Sequence, residues 1–272
     1  MAHLLDQVDR LVMHDRGARS DEPDAIHQMR VATRRLRSAL STCRPLFDQE
    51  RTDHVRGELR WLGQILGGAR DAEVLHWRLQ DLLAAQPEEP VLSPVGRRVD
   101  VELLARHRVA HGDLVAALGG DRYLQLLDAL DDLVTAPSLT ARAGKPAGKE
   151  LPALVGAAAR RVERAARAVA DDWTPQARDR GLHEVRKSAK RARYAAEMAV
   201  PVAGDPATEL AHRMEALQDV LGEHQDSVAA RALLLELTVA DHLAGEDGFT
   251  YGLLYAHELA SPRRLVGHTG AR

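Results

Sequence analysis

The feature that most constrains this chain is an internal repeat. Residues 27–39 read HQMRVATRRLRSA and residues 183–195 read HEVRKSAKRARYA, so both follow H-x-x-R-x-x-x-(R/K)-R-x-R. A second pair of segments, residues 62–74 (LGQILGGARDAEV) and 217–229 (LQDVLGEHQDSVA), shares L-x-x-x-L-G-x-x-x-D. Two motifs recur in the same order at an offset of 155 to 156 residues, which predicts a duplicated architecture.

The composition predicts that the repeated unit is helical. Aromatic residues make up only 3% of the 272 residues, and Ala, Leu and Arg are abundant, which favours helix over strand. We predict an all-α fold of two helical bundles, residues 1–137 and 149–272, joined by a linker at residues 138–148. Internal pseudo-twofold symmetry would place equivalent helices around a basic central groove.

Proline and glycine mark the expected helix ends. They cluster at residues 86–94, 137–148 and 204–206. Asp24 and Thr174 are candidate N-caps, and Thr174 is followed by Pro175, a favoured residue at the first helical position.

The two basic segments each place their cations on one face of a helix. At about 100° per residue, His27, Arg30, Arg34 and Arg37 fall within roughly 80° of one another, beside a separate apolar face. The stripe of His183, Arg186, Lys190 and Arg193 repeats this geometry. Because like charges at this spacing repel, such segregation in a slightly acidic chain indicates acidic partner helices or an anionic ligand.

The residue types favour phosphate as that anion. The planar guanidinium of arginine can hold two phosphate oxygens at once, whereas lysine acts as a compact point charge. His27 and His183 stand at the first position of each stripe, where an imidazole can donate a hydrogen bond to phosphate or add charge if protonated.

For the second motif we favour a structural interpretation, in which the glycine breaks a helix and the aspartate lies near the start of the next one. Alternatively, Asp71 and Asp226 hold an arginine of the basic stripes in position. Arg70 and His224 would then project into the groove. Tyr194 is the only aromatic residue beside a basic stripe.

Several other function classes lack sequence support. The chain has no glycine-rich phosphate loop, no H-E-x-x-H and no clear carboxylate cluster for magnesium, so a phosphohydrolase or kinase would depend on scattered groups such as His14 and Asp15. The net charge of −3 and the scarcity of aromatic residues disfavour nucleic acid, although backbone contacts to DNA or RNA, or binding of an acidic protein, stay open. We expect no enzyme, no cofactor and no metal.

Composition also bears on the cellular location. Cys43 is the single cysteine, which excludes an intramolecular disulfide and a multi-cysteine metal site. No apolar run approaches the roughly 20 residues of a membrane span, and the first residues are unlike a signal peptide. We therefore expect a cytoplasmic protein without a membrane partner.

With both motif pairs in view, the chain resembles the CHAD family, the conserved histidine α-helical domains. The resemblance spans most of the chain and implies two helical bundles, a basic central groove and binding of inorganic polyphosphate, in association with intracellular polyphosphate granules. It marks the following residues as polyphosphate-binding: His27, Arg30, Arg34, Arg35, Arg37, His183, Arg186, Lys187, Lys190, Arg191 and Arg193. Arg70, Tyr194 and His224 are additional candidates.

The sequence also departs from a perfect repeat and from many CHAD proteins. Val31 stands where the second half has Lys187, and Gln225 stands where the first half has Arg70, so we expect unequal contributions from the two halves. Many relatives carry a CYTH triphosphatase domain, whose E-x-E-x-K signature is absent from this sequence. The resulting hypothesis is a non-catalytic polyphosphate-binding module.

Overall fold

The computed structural model describes residues 1–86, 94–170 and 174–268, with the backbone alone at residue 170 and from residue 261 onward. These residues form ten α-helices: α1 (Ala2–Met13), α2 (Asp15–Arg19), α3 (Ala25–Thr42), α4 (Gln49–Ala84), α5 (Val95–Leu118), α6 (Asp121–Thr135), α7 (Ala147–Ala170), α8 (Pro175–Ala203), α9 (Asp205–Leu243) and α10 (Phe249–His268). The all-α prediction is confirmed. Outside the helices, the described β pairing is a single bridge between Phe47 and Leu139.

Local sequence signals explain where several helices begin and end. The Thr174 side chain accepts a hydrogen bond from the Ala177 amide at 3.2 Å, and Pro175 opens α8, as predicted. Gly204 ends α8 with a positive φ of 58°, which glycine adopts readily. Asp24 precedes α3 but has a φ of 65° and makes no capping hydrogen bond through its side chain.

The helix start at the Thr174 cap makes His183 the ninth residue of α8, so the basic stripe begins two turns inside the helix. One positional expectation differs from the structure. The segments at residues 66–71 and 221–226 lie inside α4 and α9 rather than at helix breaks. A Cβ on Gly68 would lie 3.3 Å from the Ala110 Cβ, so this glycine allows α5 to approach α4 closely.

The chain divides into two compact units. One consists of residues 1–69 and 110–218, and the other of residues 70–109 and 219–272. Each unit is assembled from segments of both predicted halves, because α4, α5 and α9 each contribute one portion to each unit. The compact units do not coincide with the predicted bundles, and the division of the sequence into 1–137, 138–148 and 149–272 stays a prediction.

The first unit has an extensive apolar core. Leucines from α1, α3, α4 and α6 are fully buried there, including Leu11, Leu36, Leu59 and Leu130. A second cluster joins α7 and α8 through small side chains, with Val155 packed among Ala195, Ala196 and Ala199. Burial of these apolar faces holds α3 and α8 in place and leaves their polar faces for other contacts.

The second unit packs the remaining parts of α4, α5 and α9 with α10. Its core includes Leu79, Val99, Leu234 and Tyr251. Arg78 donates two hydrogen bonds to the buried carboxylate of Glu258, at 2.8 Å and 3.0 Å. Because a buried carboxylate requires a partner, this bidentate pair is part of the structure of the unit.

Two segments were predicted as a linker or a helix break, and the structure describes one of them. Residues 138–148, predicted as a linker, contain a short 3-10 helix (Ala141–Gly144) and the first residues of α7. Residues 87–93, at the centre of one predicted break, lie outside the described ranges. Within those ranges, none of the helices has both the length and the apolar character that a membrane span requires.

Candidate functional site: a cation-lined cavity

The first unit contains a cavity of about 660 Å³ whose wall carries a large excess of positive charge. Three helices supply the wall: α3, α8 and the first part of α4. The cationic side chains are Arg30, Arg34, Arg37, Arg56, Arg60, Lys187, Lys190 and Arg191. Asp53 is the acidic residue among the lining residues in the described part of the chain.

The cavity cations repel one another. Arg37 is half-buried, and this burial is the main cause of the lowered pKa of its guanidinium. Repulsion from neighbouring arginines lowers the pKa further; these are Arg60, Arg191, Arg34 and Arg56. Such a shift records an unfavourable environment for positive charge.

Arg191 is in a similar environment. Partial loss of hydration and repulsion from Arg161, Arg56 and Arg60 lower its pKa, against the attraction of Glu184. In addition, the buried Nε groups of Arg34 and Arg56 have no acceptor among the described residues. Among the described residues, the wall therefore includes guanidinium N–H groups that have no hydrogen-bond acceptor.

The two predicted basic helices meet at this cavity. The Ser38 hydroxyl on α3 donates to the Arg191 carbonyl on α8 at 3.5 Å. Tyr194, a buried cavity residue on α8, has the guanidinium groups of Arg34, Arg35 and Arg193 at 5.5, 5.7 and 5.9 Å from its ring centroid. At these distances the ring attracts each cation, so Tyr194 orients arginines from both helices.

Some cations of the two stripes have acidic partners. Arg35 lies 3.2 Å from the Glu197 carboxylate, and Arg193 contacts Glu197 at 2.7 Å and Glu215 at 2.9 Å. Lys187, at the cavity, also lies 2.6 Å from Glu184. The cations on one face of each helix were expected to face either acidic partner helices or an anionic ligand. Some of them pair with acidic neighbours, and others surround the cavity.

The eleven predicted binding residues divide into those that line the cavity and those that do not. Six of them line the cavity: Arg30, Arg34, Arg37, Lys187, Lys190 and Arg191, together with the additional candidate Tyr194. The cavity lining does not include the other five, His27, Arg35, His183, Arg186 and Arg193, within the described ranges. Arg70 and His224 belong to the second compact unit, where Arg70 pairs with Glu73 at 2.8 Å. Their roles as ligand contacts stay predictions.

Sequence reasoning missed the contribution of α4. Arg56 and Arg60 lie one helical turn apart and both line the cavity. Arg56 donates to the Ser41 hydroxyl at 3.0 Å and contacts Asp53, which also binds Arg44 at 2.7 Å. The spacing of Arg56 and Arg60, four residues apart, could have indicated this contribution. Acidic residues nearby and the lack of a matching motif in the second half of the sequence made it hard to recognise.

The chemistry of the wall suits an anion with many oxygens. Guanidinium and ammonium groups converge on the same space, together with the hydroxyls of Ser38 and Ser41. Within the described ranges, no group of three or more His, Cys, Asp or Glu side chains is arranged to hold a metal ion. Fold and site together define the class: an all-helical protein with a cation-lined cavity.

Comparison with known proteins identifies the family. A CHAD domain model matches residues 2–235, so the chain belongs to the CHAD domain family. The uncharacterized proteins MT2285 and Rv2226 of Mycobacterium tuberculosis, from strains CDC 1551 and H37Rv, are each 41% identical to it over 257 residues. The match covers 93% of this chain and 48% of each relative, so the chain spans about half of their length.

Two solved structures share the fold. PptA from Streptomyces chartreusis superposes with a TM-score of 0.78 at 23% identity, covering 96% of this chain and 94% of that one. The CHAD domain of the plant Ricinus communis superposes with a TM-score of 0.70 at 22% identity, covering 97% and 85%. The predicted family and its all-helical fold are thereby confirmed.

Proposed function

We propose that the protein binds inorganic polyphosphate, without catalysis, in the cavity between α3, α4 and α8. The observation that carries this proposal is the convergence of eight cationic side chains on one cavity whose described lining has a single carboxylate. A chain of phosphates supplies closely spaced negative charge and many acceptor oxygens, and arginine binds phosphate oxygens bidentately.

The electrostatics of the wall support this proposal. Loss of hydration and then neighbouring cations disfavour the charged forms of Arg37 and Arg191, and a polyanion would reverse the sign of the local potential. Each cation that contacts a phosphate also releases counterions from the polymer. Affinity should therefore be high at low salt and should fall steeply as salt is added.

The non-catalytic part of the proposal follows from the residue types at the cavity. Its charged lining consists almost entirely of groups that stay protonated near neutral pH, and such groups bind anions but do not accept a proton from water. A cytoplasmic location and association with polyphosphate granules belong to the same hypothesis.

The test is a binding titration with polyphosphates of graded length at two salt concentrations. We compare wild type with a cavity variant, Arg60→Gln with Lys190→Gln, which removes one cation from α4 and one from α8. If each cation contacts one phosphate, the slope of log affinity against log salt should become shallower by roughly 1.5, by analogy with nucleic acids. Affinity at low salt should fall by roughly tenfold or more.

The matched control removes two exposed arginines, Arg10→Gln with Arg16→Gln, neither of which lines the cavity. It changes the net charge equally. The proposal fails if the cavity variant and this control bind polyphosphate with equal affinity. Competition by duplex DNA or RNA at the same phosphate concentration tests selectivity, and displacement as effective as that by polyphosphate would indicate general polyanion binding instead.

A further inference from the structure

A second group of cations lies on α7. Arg160, Arg161, Arg164 and Arg167, here called the α7 stripe, are all exposed. At about 100° per residue, Arg160, Arg164 and Arg167 fall within roughly 60° of one another, and Arg161 is adjacent. The stripe thus forms a continuous basic surface about two turns long.

Among the described residues, this stripe has fewer acidic partners than other surface arginines have. Arg10 pairs with Asp6, Arg122 with Glu58 and Arg142 with Glu150, at distances of 3.2, 2.5 and 2.6 Å. In the α7 stripe, the described ion pair is a 3.9 Å contact between Arg167 and Glu163, both well exposed. Such a contact contributes little, so the stripe has a net positive charge.

The stripe adjoins the cavity wall. Helix α7 packs against α8, and Val155 belongs to the same buried apolar cluster as Ala195, Ala196 and Ala199. Helices α7 and α8 are consecutive in the chain and pack side by side. Such neighbours run antiparallel, so residues after Val155 on α7 lie beside residues that precede Ala195 on α8. That part of α8 carries Lys187 and Arg191, and repulsion from Arg161 contributes to the lowered pKa of Arg191. Arg161 is therefore close to the cavity cations.

We propose that the α7 stripe is an external extension of the polyphosphate site, which binds the part of a long chain that projects beyond the cavity. This inference rests on the proposed function. Its physical basis is that a chain held in the cavity brings its next phosphates to the adjoining cations at high effective concentration. Long chains gain contacts on α7 that short chains cannot reach.

The experiment compares two ligands and three variants. The ligands are tripolyphosphate and a chain of about 100 phosphates, which differ in their ability to span both surfaces. The variants are the stripe variant Arg161→Gln with Arg164→Gln, the cavity variant Arg60→Gln with Lys190→Gln, and the control Arg10→Gln with Arg16→Gln. Glutamine retains helix propensity, and circular dichroism checks that each variant is folded.

We expect the stripe variant to bind the long chain roughly tenfold more weakly than the control does at low salt, with tripolyphosphate affinity unchanged. Equal long-chain affinity in the stripe variant and the control overturns the extension and leaves the cavity proposal intact. Equal weakening for both ligands also overturns it, because that result indicates only a general loss of positive potential. Unchanged binding of both ligands by the cavity variant contradicts the proposed function itself.

Discussion

At the scale of single residues, the cavity holds cations in an unfavourable environment. Arg37 is the clearest case, since burial and repulsion by four neighbouring arginines lower its pKa. If the cavity binds a polyanion as proposed, function and stability are opposed at this position.

Arg37→Gln should separate these two effects. Without ligand, we expect the variant to be more stable by a few tenths to about 1 kcal/mol, because it removes a repelled cation. With polyphosphate present, wild type should gain more stability than the variant. Chemical denaturation with and without ligand measures both effects. A variant less stable than wild type in the absence of ligand would contradict this account.

His3 gives a prediction about pH at the same scale. Burial and the nearby Arg35 cation lower its pKa from the ordinary value of 6.5, and its Nε2 is buried without a described partner. The unfolded chain therefore takes up the proton more readily, so His3 should lower stability as the pH falls below 6.5.

The matched variant for this test is His3→Gln, which cannot titrate. Relative to wild type, it should become more stable as the pH is lowered from about 7.5 to about 5.5. Urea denaturation at both pH values gives the comparison. A constant difference between the two proteins would exclude a contribution from His3.

At the scale of helices, close packing positions the start of the first basic helix. Gly17 on α2 lies against the beginning of α3, and a Cβ at this position would be 2.9 Å from the Ala25 Cβ and 3.0 Å from a Glu22 carboxylate oxygen. Such distances leave no space for a methyl group, so the backbone would have to move.

We expect Gly17→Ala to destabilise the protein by about 1–3 kcal/mol, the usual cost of overpacking. Gly112 in α5 is the matched control, because nothing lies within 4 Å of its hypothetical Cβ. Gly112→Ala should be neutral or stabilising by up to about 1 kcal/mol through helix propensity. Thermal unfolding of both variants checks the contrast, and similar changes in the two would indicate that packing at Gly17 is unimportant.

At the scale of the whole molecule, net charge gives a poor description of the protein. The chain has a net charge of −3, yet it concentrates eight cations in one cavity and four on α7. Most of the acidic residues that balance these cations lie elsewhere in the sequence. The net charge of the chain is therefore negative, whereas the local potential at the cavity and along α7 is positive. A polyanion should therefore act on global stability through a limited set of residues.

This difference predicts strong ligand linkage. On the proposed function, polyphosphate at about 100 times its dissociation constant should stabilise the folded state by about 2.7 kcal/mol, provided that it binds the folded cavity and not the unfolded chain. Sodium chloride at the same ionic strength should produce a smaller effect through screening alone. Differential scanning fluorimetry with both additives measures the difference, and equal shifts would indicate screening without a specific site.

The helical class, the family and the two main basic helices could be predicted from sequence. They follow from local properties: helix propensity, periodic placement of apolar residues, and a pattern that recurs at an offset of 155 to 156 residues. Six of the eleven predicted binding residues reach the cavity because a stripe on one helix face keeps its members together. The Thr174 cap could also be predicted, because capping depends on residues that are close in sequence.

The packing of the helices, and not the local sequence, determines which cations meet at the cavity. Arg35 and Arg193 belong to the predicted stripes but contact Glu197, whereas Arg56 and Arg60 come from a helix without a repeated basic motif and line the cavity. Likewise, α4 and α9 continue as helices through the glycines that were expected to break them, and in α4 the close approach of Ala110 to Gly68 shows that packing between helices acts at this point. Ion pairing and burial depend on residues that are distant in sequence and meet only when the helices pack.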